Sequence, residues 1–252
     1  MDPIFSSAIR PMIGGHRGTA VHGPGNTFPA FEKALALGAD YIELDIRLSR
    51  DDVPVVIHDA LIDATTDGMG RVCDYTLKEL KQFDAGGYFA PEYAGTRIPT
   101  LAEALAWARN RTWLSIEIKS DRDYSELIEA LAVACAEEAG MVDQVQFMAC
   151  DRDILRRIKR LNGGVTTCLL LDRNCGDPPG FAEKAEADAV NMPWDALDRE
   201  TVDEIHRRRL LINGSLVNDP RDWREAQRLG IDMVDSDVPD LLKGTASHRS
   251  PR

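Results

Sequence analysis

Four charged residues alternate within two short runs that otherwise have the character of β-strands. Glu43 and Asp45 lie in the run 41–48, and Glu117 and Lys119 lie in the run 113–119. Because successive side chains of a strand point to opposite faces, each pair shares one face. Carboxylates that face the inside of an apolar sheet require a metal or a charged partner. Three carboxylates form an oxygen-rich set, which predicts a hard divalent cation, Mg²⁺ or Ca²⁺, with Mn²⁺ as a further candidate.

These carboxylates also have a purely structural interpretation. They would then form ion pairs on a solvated strand face, with Arg47 and Lys119 as the partners. Their common position at the ends of two strands favours the metal site instead. Zinc is not favoured, since no His-x-His spacing or cysteine cluster accompanies them.

Two histidines, His16 and His58, each end an apolar run. Because imidazole titrates near neutrality, one histidine can accept a proton while the other donates one. In the cleavage of a phosphodiester, such a pair would deprotonate the nucleophile and protonate the leaving alkoxide. A core or capping role is the alternative for each of them. The other histidines, His22, His206 and His248, are predicted to be structural.

Two cations accompany these groups in the sequence. The guanidinium of Arg17 is a fork that matches two phosphate oxygens, whereas the ammonium of Lys119 acts as a point charge. Both are predicted to bind phosphate and to stabilise the charge that develops on it during the reaction. As single residues, they would equally suit salt bridges with Glu43 or Glu117.

Apolar β-rich runs alternate with segments of helical period along the whole chain. Eight strands are predicted, near 12–15, 41–48, 112–118, 144–148, 165–171, 188–192, 210–217 and 232–236. This alternation predicts an α/β fold, a (β/α)₈ TIM barrel. A doubly wound open sheet is the alternative, and the absence of a GxGxxG fingerprint after the first strand weakens it.

One long segment interrupts the alternation after the second strand. This insertion, at about 59–99, is rich in glycine turns and begins beside His58. In a barrel of this kind the functional groups lie at the C-terminal ends of the strands. The insertion is therefore expected to form a lid or wall over the site.

Length and charge limit the class of protein. The chain has 252 residues, 44% of them hydrophobic, which suits a single domain over 1–252. Its net charge of −12 would repel nucleic acid and anionic membranes. A small-molecule phosphodiester substrate is expected, drawn in locally by a metal and a few cations. The sequence leaves open whether the protein is a monomer or a homodimer.

The redox state and location follow from simple counts. The five cysteines are scattered without a CxxC spacing, so they are expected to be reduced and mostly buried. No signal sequence and no apolar run of membrane-spanning length are found, which predicts a cytoplasmic protein without stable membrane insertion. The tail at 244–252 is expected to be disordered.

The site residues lie within segments that resemble the glycerophosphodiester phosphodiesterase family. The matching segments, in chain order, are His16-Arg17-Gly18, Asn26-Thr27, 38–45, 55–59, 65–70, 84–86, 98–101, 117–119, 230–232 and 235–240. The order of these segments, from about 12 to 242, is more specific than any one of them.

The resemblance implies a TIM barrel with an insertion after the second strand. It implies a divalent metal at Glu43, Asp45 and Glu117, and catalysis by His16 and His58. It also implies phosphate binding by Arg17 and Lys119. In family members a glycerol hydroxyl of the substrate attacks phosphorus and gives a cyclic phosphate, which water then opens.

Several positions depart from the family pattern. Gly25 stands where a glutamate usually precedes Asn-Thr, and Ala64 stands where an arginine is usual. The segment 215–218 reads Ser-Leu-Val-Asn in place of Trp-Thr-Val-Asn. Asn26, Asn213 and Ser215 are candidate substrate contacts. The departures concern recognition of the alcohol rather than the metal and phosphate chemistry.

The sequence supports metal-dependent hydrolysis of glycerophosphodiesters to sn-glycerol 3-phosphate and an alcohol. A related alternative is a lysophospholipase D or sphingomyelinase D-like enzyme acting on lipids. Four aromatic residues of the insertion would then form an apolar mouth, namely Phe83, Tyr88, Phe89 and Tyr93. An alternative of a different class is a catalytically inactive binding protein on the same barrel.

Overall fold

The computed structural model of the chain describes residues 11–119 and 127–244. The strands β1 to β9 are Met12–Gly15, Tyr41–Leu48, Pro54–Val56, Trp113–Ile118, Val145–Ala149, Thr166–Leu170, Ala189–Pro193, Leu211–Ser215 and Met233–Ser236. The helices α1 to α9 are Phe28–Ala36, Leu77–Leu80, Leu101–Ala108, Leu127–Glu138, Arg152–Leu161, Pro178–Ala185, Arg199–Arg207, Pro220–Leu229 and Pro239–Lys243. Short 3₁₀ turns complete the connections.

Eight of the strands form a closed parallel barrel. The order runs β1, β9, β8, β7, β6, β5, β4, β2, and a pairing of β1 with β2 closes the ring. All eight strands predicted from the sequence are present, and the TIM-barrel prediction is confirmed. A barrel of this kind presents the C-terminal ends of its strands, and the loops after them, at one face.

The main core lies between the barrel and the helices around it. Ile42, Leu44 and Ile46 of β2 belong to this core, packed among apolar residues of the surrounding helices. Their neighbours at alternate positions, Glu43 and Asp45, therefore point to the barrel interior. The residue alternation that suggested the site thus reflects the two buried faces of β2, one packed against the helices and one turned to the barrel interior.

The barrel interior contains a close approach that only glycine permits. A Cβ atom on Gly14 of β1 would lie 2.2 Å from the ring of Tyr41 on β2. The Tyr41 ring occupies this space, and its hydroxyl donates to Asp235 Oδ1 of β9 over 2.7 Å. Gly14 is thus required for the packing of this layer.

The segment after β2 has its own small core. β3 pairs antiparallel with the end of β2, and its residue Val55 packs with Ile57, Ile62 and Leu80. This short strand was not among the eight predicted. It carries the chain back along β2 and so delivers His58 beside the carboxylates.

Three further expectations concern the chain as a whole. None of the five cysteines is paired, but only Cys168 is buried and Cys150 is exposed, so the prediction that most are buried is wrong. Among the described residues, no helix is long and apolar enough to cross a membrane. The tail expected to be disordered lies outside the described residues, apart from Gly244 at the end of α9.

Candidate active site

The three carboxylates meet where β2 and β4 run side by side. The register of this pair places Asp45 opposite Glu117 and Glu43 opposite Ser115. One oxygen of each carboxylate lies within 4.8 Å of the others. Glu43 and Asp45 are 2% and 1% exposed, so they do not lie on a solvated strand face. The three residues form a group that is suited to holding a metal ion.

Burial and neighbouring anions disfavour the charged forms of two of these carboxylates. Burial raises the pKa of Glu43 well above its usual value, and the charge of Asp45 raises it further. Burial also raises the pKa of Glu117, which Lys119 counteracts only in part. Burial acts in the same direction on Asp45, but Lys119 and His58 outweigh it and leave its pKa lowered. Such a set of anions is stabilised by an added cation.

Lys119 is the cation that lies nearest to Asp45 and Glu117 among the described ion pairs. Its Nζ atom lies 2.9 Å from Asp45 Oδ1 and 2.6 Å from Glu117 Oε1. Burial lowers the pKa of Lys119, but the two carboxylates outweigh this and raise it. The ion pair predicted by the structural alternative is therefore present, within a buried cluster.

Arg17 reaches the cluster through a tight turn after β1. Arg17 and Gly18 both have a positive φ, 53° and 80°, and a Cβ atom on Gly18 would lie 2.7 Å from the backbone of Ala30. The turn lets the Arg17 backbone N–H donate to Glu43 Oε2 over 2.8 Å. The Arg17 Nε atom lies 3.5 Å from Asp45 Oδ2, is buried, and makes no hydrogen bond. It is an available donor for an anion.

Asn26 holds the central carboxylate in place. Its Nδ2 donates to Asp45 Oδ2 over 2.8 Å, and its Oδ1 accepts from the Asp45 backbone N–H over 3.2 Å. The residue has a left-handed backbone with φ of 61°, a conformation that asparagine tolerates better than most residues. Asn26 also lines a cavity beside His58.

Each candidate catalytic histidine has an aspartate on its Nδ1 atom. His16 Nδ1 donates to Asp237 Oδ1 over 2.7 Å, and His58 Nδ1 lies 2.7 Å from Asp59 Oδ1. Such pairing leaves Nε2 of each ring for the substrate. Burial lowers the pKa of His16, but the hydrogen bond to Asp237 and the charge of Glu43 outweigh it and raise the pKa to about 9.

Residues farther out hold these two pairs. Asn218 Nδ2 donates to Asp237 Oδ2 over 2.7 Å, and Asn218 Oδ1 accepts from the Asp237 backbone N–H over 2.8 Å. Arg47 Nε donates to the His58 carbonyl over 2.7 Å. Asp59 directly follows His58, so the sequence itself suggests this pair. Asp237 lies 221 residues from His16, and no sequence pattern links the two.

Two cavities flank the carboxylate cluster. The larger, of about 540 Å³, is lined by His16, Glu43 and Glu117 and extends over the ends of β5 to β8. The smaller, of about 210 Å³, is lined by Arg17, Asn26 and His58. Each histidine therefore faces a different cavity.

The insertion forms one wall of the smaller cavity. Ala85, Tyr88, Phe89 and Ile98 of the insertion line it. Two of the four aromatic residues named above are not among its lining residues. Phe83 packs edge-on against Tyr75 within the insertion, with ring centroids 5.2 Å apart. Tyr93 packs against Phe89.

The two candidate substrate contacts on β8, Ser215 and Asn213, have different surroundings. Ser215 lines the larger cavity. Asn213 is 1% exposed in the barrel interior, where its Nδ2 donates to Asp235 Oδ2 over 2.9 Å. Asn191 donates to the same oxygen over 3.1 Å and, with Asp235, lines the floor of the larger cavity. The sequence patterns considered above did not identify Asn191.

A TIM barrel that brings three carboxylates, two His–Asp pairs and two cations to the C-terminal ends of its strands is equipped for phosphoryl-ester chemistry. The class this defines is the phosphoric diester hydrolases. Residues 16–241 match the glycerophosphoryl diester phosphodiesterase family, and the chain belongs to that family.

Individual relatives agree with this assignment. A glycerophosphodiester phosphodiesterase of Caldanaerobacter subterraneus is 32% identical, over 93% of this chain and 97% of its own length. A phosphodiesterase of Oleispira antarctica, solved with its product sn-glycerol-3-phosphate, has a TM-score of 0.88 at 26% identity, covering 93% of this chain and 96% of its own. A glycerophosphodiester phosphodiesterase of Agrobacterium tumefaciens has a TM-score of 0.83 at 28% identity, covering 92% and 99%.

Proposed function

We propose that this protein hydrolyses glycerophosphodiesters to sn-glycerol 3-phosphate and an alcohol, with a divalent cation and two histidines. The observation that carries the proposal is the group of three carboxylates within 4.8 Å of one another, flanked by His16–Asp237 and His58–Asp59. The Oleispira antarctica structure supports the small-molecule substrate, since it holds sn-glycerol-3-phosphate.

The residues present fit a hard cation. Glu43, Asp45 and Glu117 offer only oxygen, they are clustered, and burial raises the pKa of two of them. Mg²⁺ or Ca²⁺ is expected, with Mn²⁺ able to replace them. When bound, such an ion neutralises phosphate charge and polarises the ester.

The two histidines transfer the protons. The 2-hydroxyl oxygen of the glycerol arm forms a bond to phosphorus and gives its proton to His58. The bond from phosphorus to the alcohol oxygen breaks, and that oxygen takes a proton from His16. The assignment follows from His16, which faces the larger cavity and whose hydrogen bond to Asp237 raises its pKa and favours the protonated ring.

The product of this step is a cyclic phosphate. Water then adds to phosphorus and the bond to the 2-oxygen breaks, with the histidine roles reversed, which leaves sn-glycerol 3-phosphate. Arg17 and Lys119 bind the phosphate oxygens through both stages. The Nε atom of Arg17 makes no hydrogen bond, although it lies in ion-pair range of Asp45, and this supports its part in phosphate binding.

The test measures release of sn-glycerol 3-phosphate from glycerophosphocholine with Mg²⁺, Ca²⁺ or Mn²⁺ and with EDTA. We expect EDTA to abolish activity and His16→Ala or His58→Ala to lower kcat by roughly 10²- to 10⁴-fold. ³¹P spectra of wild-type reactions should show a transient cyclic phosphate. His206→Ala is the matched control, since His206 pairs with Asp232 and does not line the two cavities beside the carboxylates. Full activity of both site variants, together with indifference to EDTA, would refute the proposal.

A further inference from the structure

The larger cavity has two chemically distinct sides. Its floor is polar and contains Glu43, Glu117 and Asp235. Its remaining lining, the outer wall, is mostly apolar, with Leu169, Leu171, Phe181, Pro193 and Leu216, and it also includes the polar residues Arg152, Asp172 and Ser215. The floor belongs to the carboxylate cluster. A phosphodiester whose phosphate binds at this floor would therefore extend one ester arm along the wall.

Leu216 is the unusual member of the wall. It is 47% exposed, and its backbone lies in the left-handed region with φ of 56°. That conformation favours glycine or asparagine, and a leucine there is strained. The residue therefore combines backbone strain with an exposed apolar side chain, at the rim of the cavity that holds the carboxylates. Such strain at a site edge is a common companion of ligand contact.

The wall is poorly suited to a cationic alcohol arm. Quaternary ammonium groups are usually held over several aromatic rings. Phe181 is the only aromatic residue among the described residues that line the cavity, and it already contacts two cations. Arg152 and Lys184 lie 5.7 and 5.5 Å from its ring centroid. The polar side chains that this wall offers to a polyol or cationic arm are those of Arg152, Asp172 and Ser215, and the leucines and Pro193 offer none.

We propose that the larger cavity selects glycerophosphodiesters whose second alcohol is an unbranched alkyl chain, and that Leu216 is a specificity-determining residue for that chain. The inference rests on the proposed function, since it requires the phosphate at the carboxylate cluster. In the sequence-based interpretation, the apolar surface for a lipid-like arm lies on the insertion. In the present proposal, it lies at the ends of β5–β8. The smaller cavity beside His58 then receives the glycerol arm.

The test is a series of diesters of sn-glycerol 3-phosphate with methanol, butanol, hexanol and octanol, each below its micellar concentration, with glycerophosphocholine for comparison. We expect kcat/KM of the wild type to rise roughly threefold per methylene buried, until the cavity is filled. Leu216→Asn should flatten this rise, so that the octyl-to-methyl ratio of kcat/KM falls by about tenfold or more. Its melting temperature should be equal or higher, because asparagine tolerates the left-handed region.

Leu241→Asn is the matched control. Leu241 lies on α9, is 48% exposed like Leu216, and does not line either of the two cavities described above. It should leave the chain-length dependence unchanged. A flat dependence in the wild type, a preference for glycerophosphocholine over the octyl ester, or an equal effect of Leu216→Asn on all esters would overturn the inference alone. Failure to cleave any diester with any metal would overturn the proposed function with it.

Discussion

Lys119 has two roles in the chemistry of the carboxylate cluster. Its ammonium lies within 3 Å of both Asp45 and Glu117, so it neutralises the same carboxylates that a divalent ion would use. It is also the point charge proposed to bind the phosphate. These two roles have opposite consequences for metal affinity and for turnover, which allows them to be separated.

We expect Lys119→Met to bind Mg²⁺ more tightly and to turn over more slowly. Removing the ammonium takes the hydrogen-bonded cation from Glu117 and leaves Asp45 with Arg17, which favours binding of the metal. It also removes a donor that stabilises transition-state charge, which lowers kcat by roughly 10²- to 10³-fold. Calorimetric titration with Mg²⁺ and steady-state kinetics measure the two effects. Weaker metal binding with unchanged kcat would contradict both assignments.

His16 makes the stability of the metal-free protein depend on pH. Its pKa is raised to about 9 from 6.5, so the charged form is favoured by folding. The stabilisation is fully present below about pH 6.5 and is lost as the pH rises through about 9. It amounts to about 3 kcal/mol at most.

The measurement is urea unfolding in EDTA between pH 6 and pH 9.5. Wild type should lose more of its unfolding free energy across this range than His16→Gln does. Asp237→Asn should move the loss to lower pH, because the hydrogen-bonded anion that raises the pKa is removed. Parallel profiles for wild type and His16→Gln would show that His16 titrates normally.

At the scale of elements, the insertion depends on one aspartate. Asp84 Oδ1 accepts from the backbone N–H groups of Gly86 and Gly87, and its Oδ2 accepts from that of Gly95. These bonds tie together the turns that carry Tyr88 and Phe89 to the smaller cavity. The hydrogen bonds lower the pKa of the Asp84 carboxyl.

We expect Asp84→Ala to loosen the insertion while the barrel stays folded. Three backbone donors lose their acceptor, so protease cleavage within 59–99 should accelerate, and KM should rise because one cavity wall becomes mobile. Limited proteolysis with mass spectrometry, together with kinetics, measures this. Asp63→Ala is the control, since Asp63 Oδ1 accepts from a single backbone N–H, that of Gly70. Equal protection of Asp84→Ala and wild type would contradict the prediction.

The strands of the barrel were predictable because β-rich runs and helical runs alternate with few exceptions. Alternation within β2 also placed Glu43 and Asp45 on one face. The pairing of Asp45 with Glu117 was not predictable, because it depends on the register of β2 against β4. β3 escaped prediction because three residues, Pro54–Val56, are too short to carry a periodic signal.

At the scale of the whole molecule, metal binding and folding should be coupled. A cation that binds the folded cluster and not the unfolded chain stabilises the fold by about 2.7 kcal/mol at a concentration of 100 times its Kd. For a chain of this size, the melting temperature should rise by roughly 5 to 10 °C.

Thermal denaturation with and without Mg²⁺ tests this coupling. Glu43→Gln should show little or no rise, because the cluster loses a charge that the cation neutralises. Its fold should survive, since burial already disfavours the charged form of Glu43. Glu103→Gln, on helix α3, is the control and should respond to Mg²⁺ as wild type does. An equal rise in Glu43→Gln would place the cation elsewhere.

Long-range organisation is where sequence reasoning reached its limit. The partners Asp237 and Asn218 come from the last quarter of the chain, and only barrel closure brings them to His16. The insertion aromatics show the same limit, since Phe83 turns inward on Tyr75. The sequence shows that a residue is apolar. Its neighbours in the fold decide whether the side chain packs in a core or contacts a ligand.

The absorbance of the Tyr41 phenolate can report on the opening of the barrel. The Tyr41 ring fills the space beside Gly14, and its hydroxyl donates to Asp235 on β9. Burial and the Asp235 charge raise the pKa of this phenol well above its usual value. In an alkaline titration followed by phenolate absorbance, Tyr41 should remain protonated while accessible tyrosines ionise. Its delayed step would mark the moment at which the barrel opens and would need no introduced label.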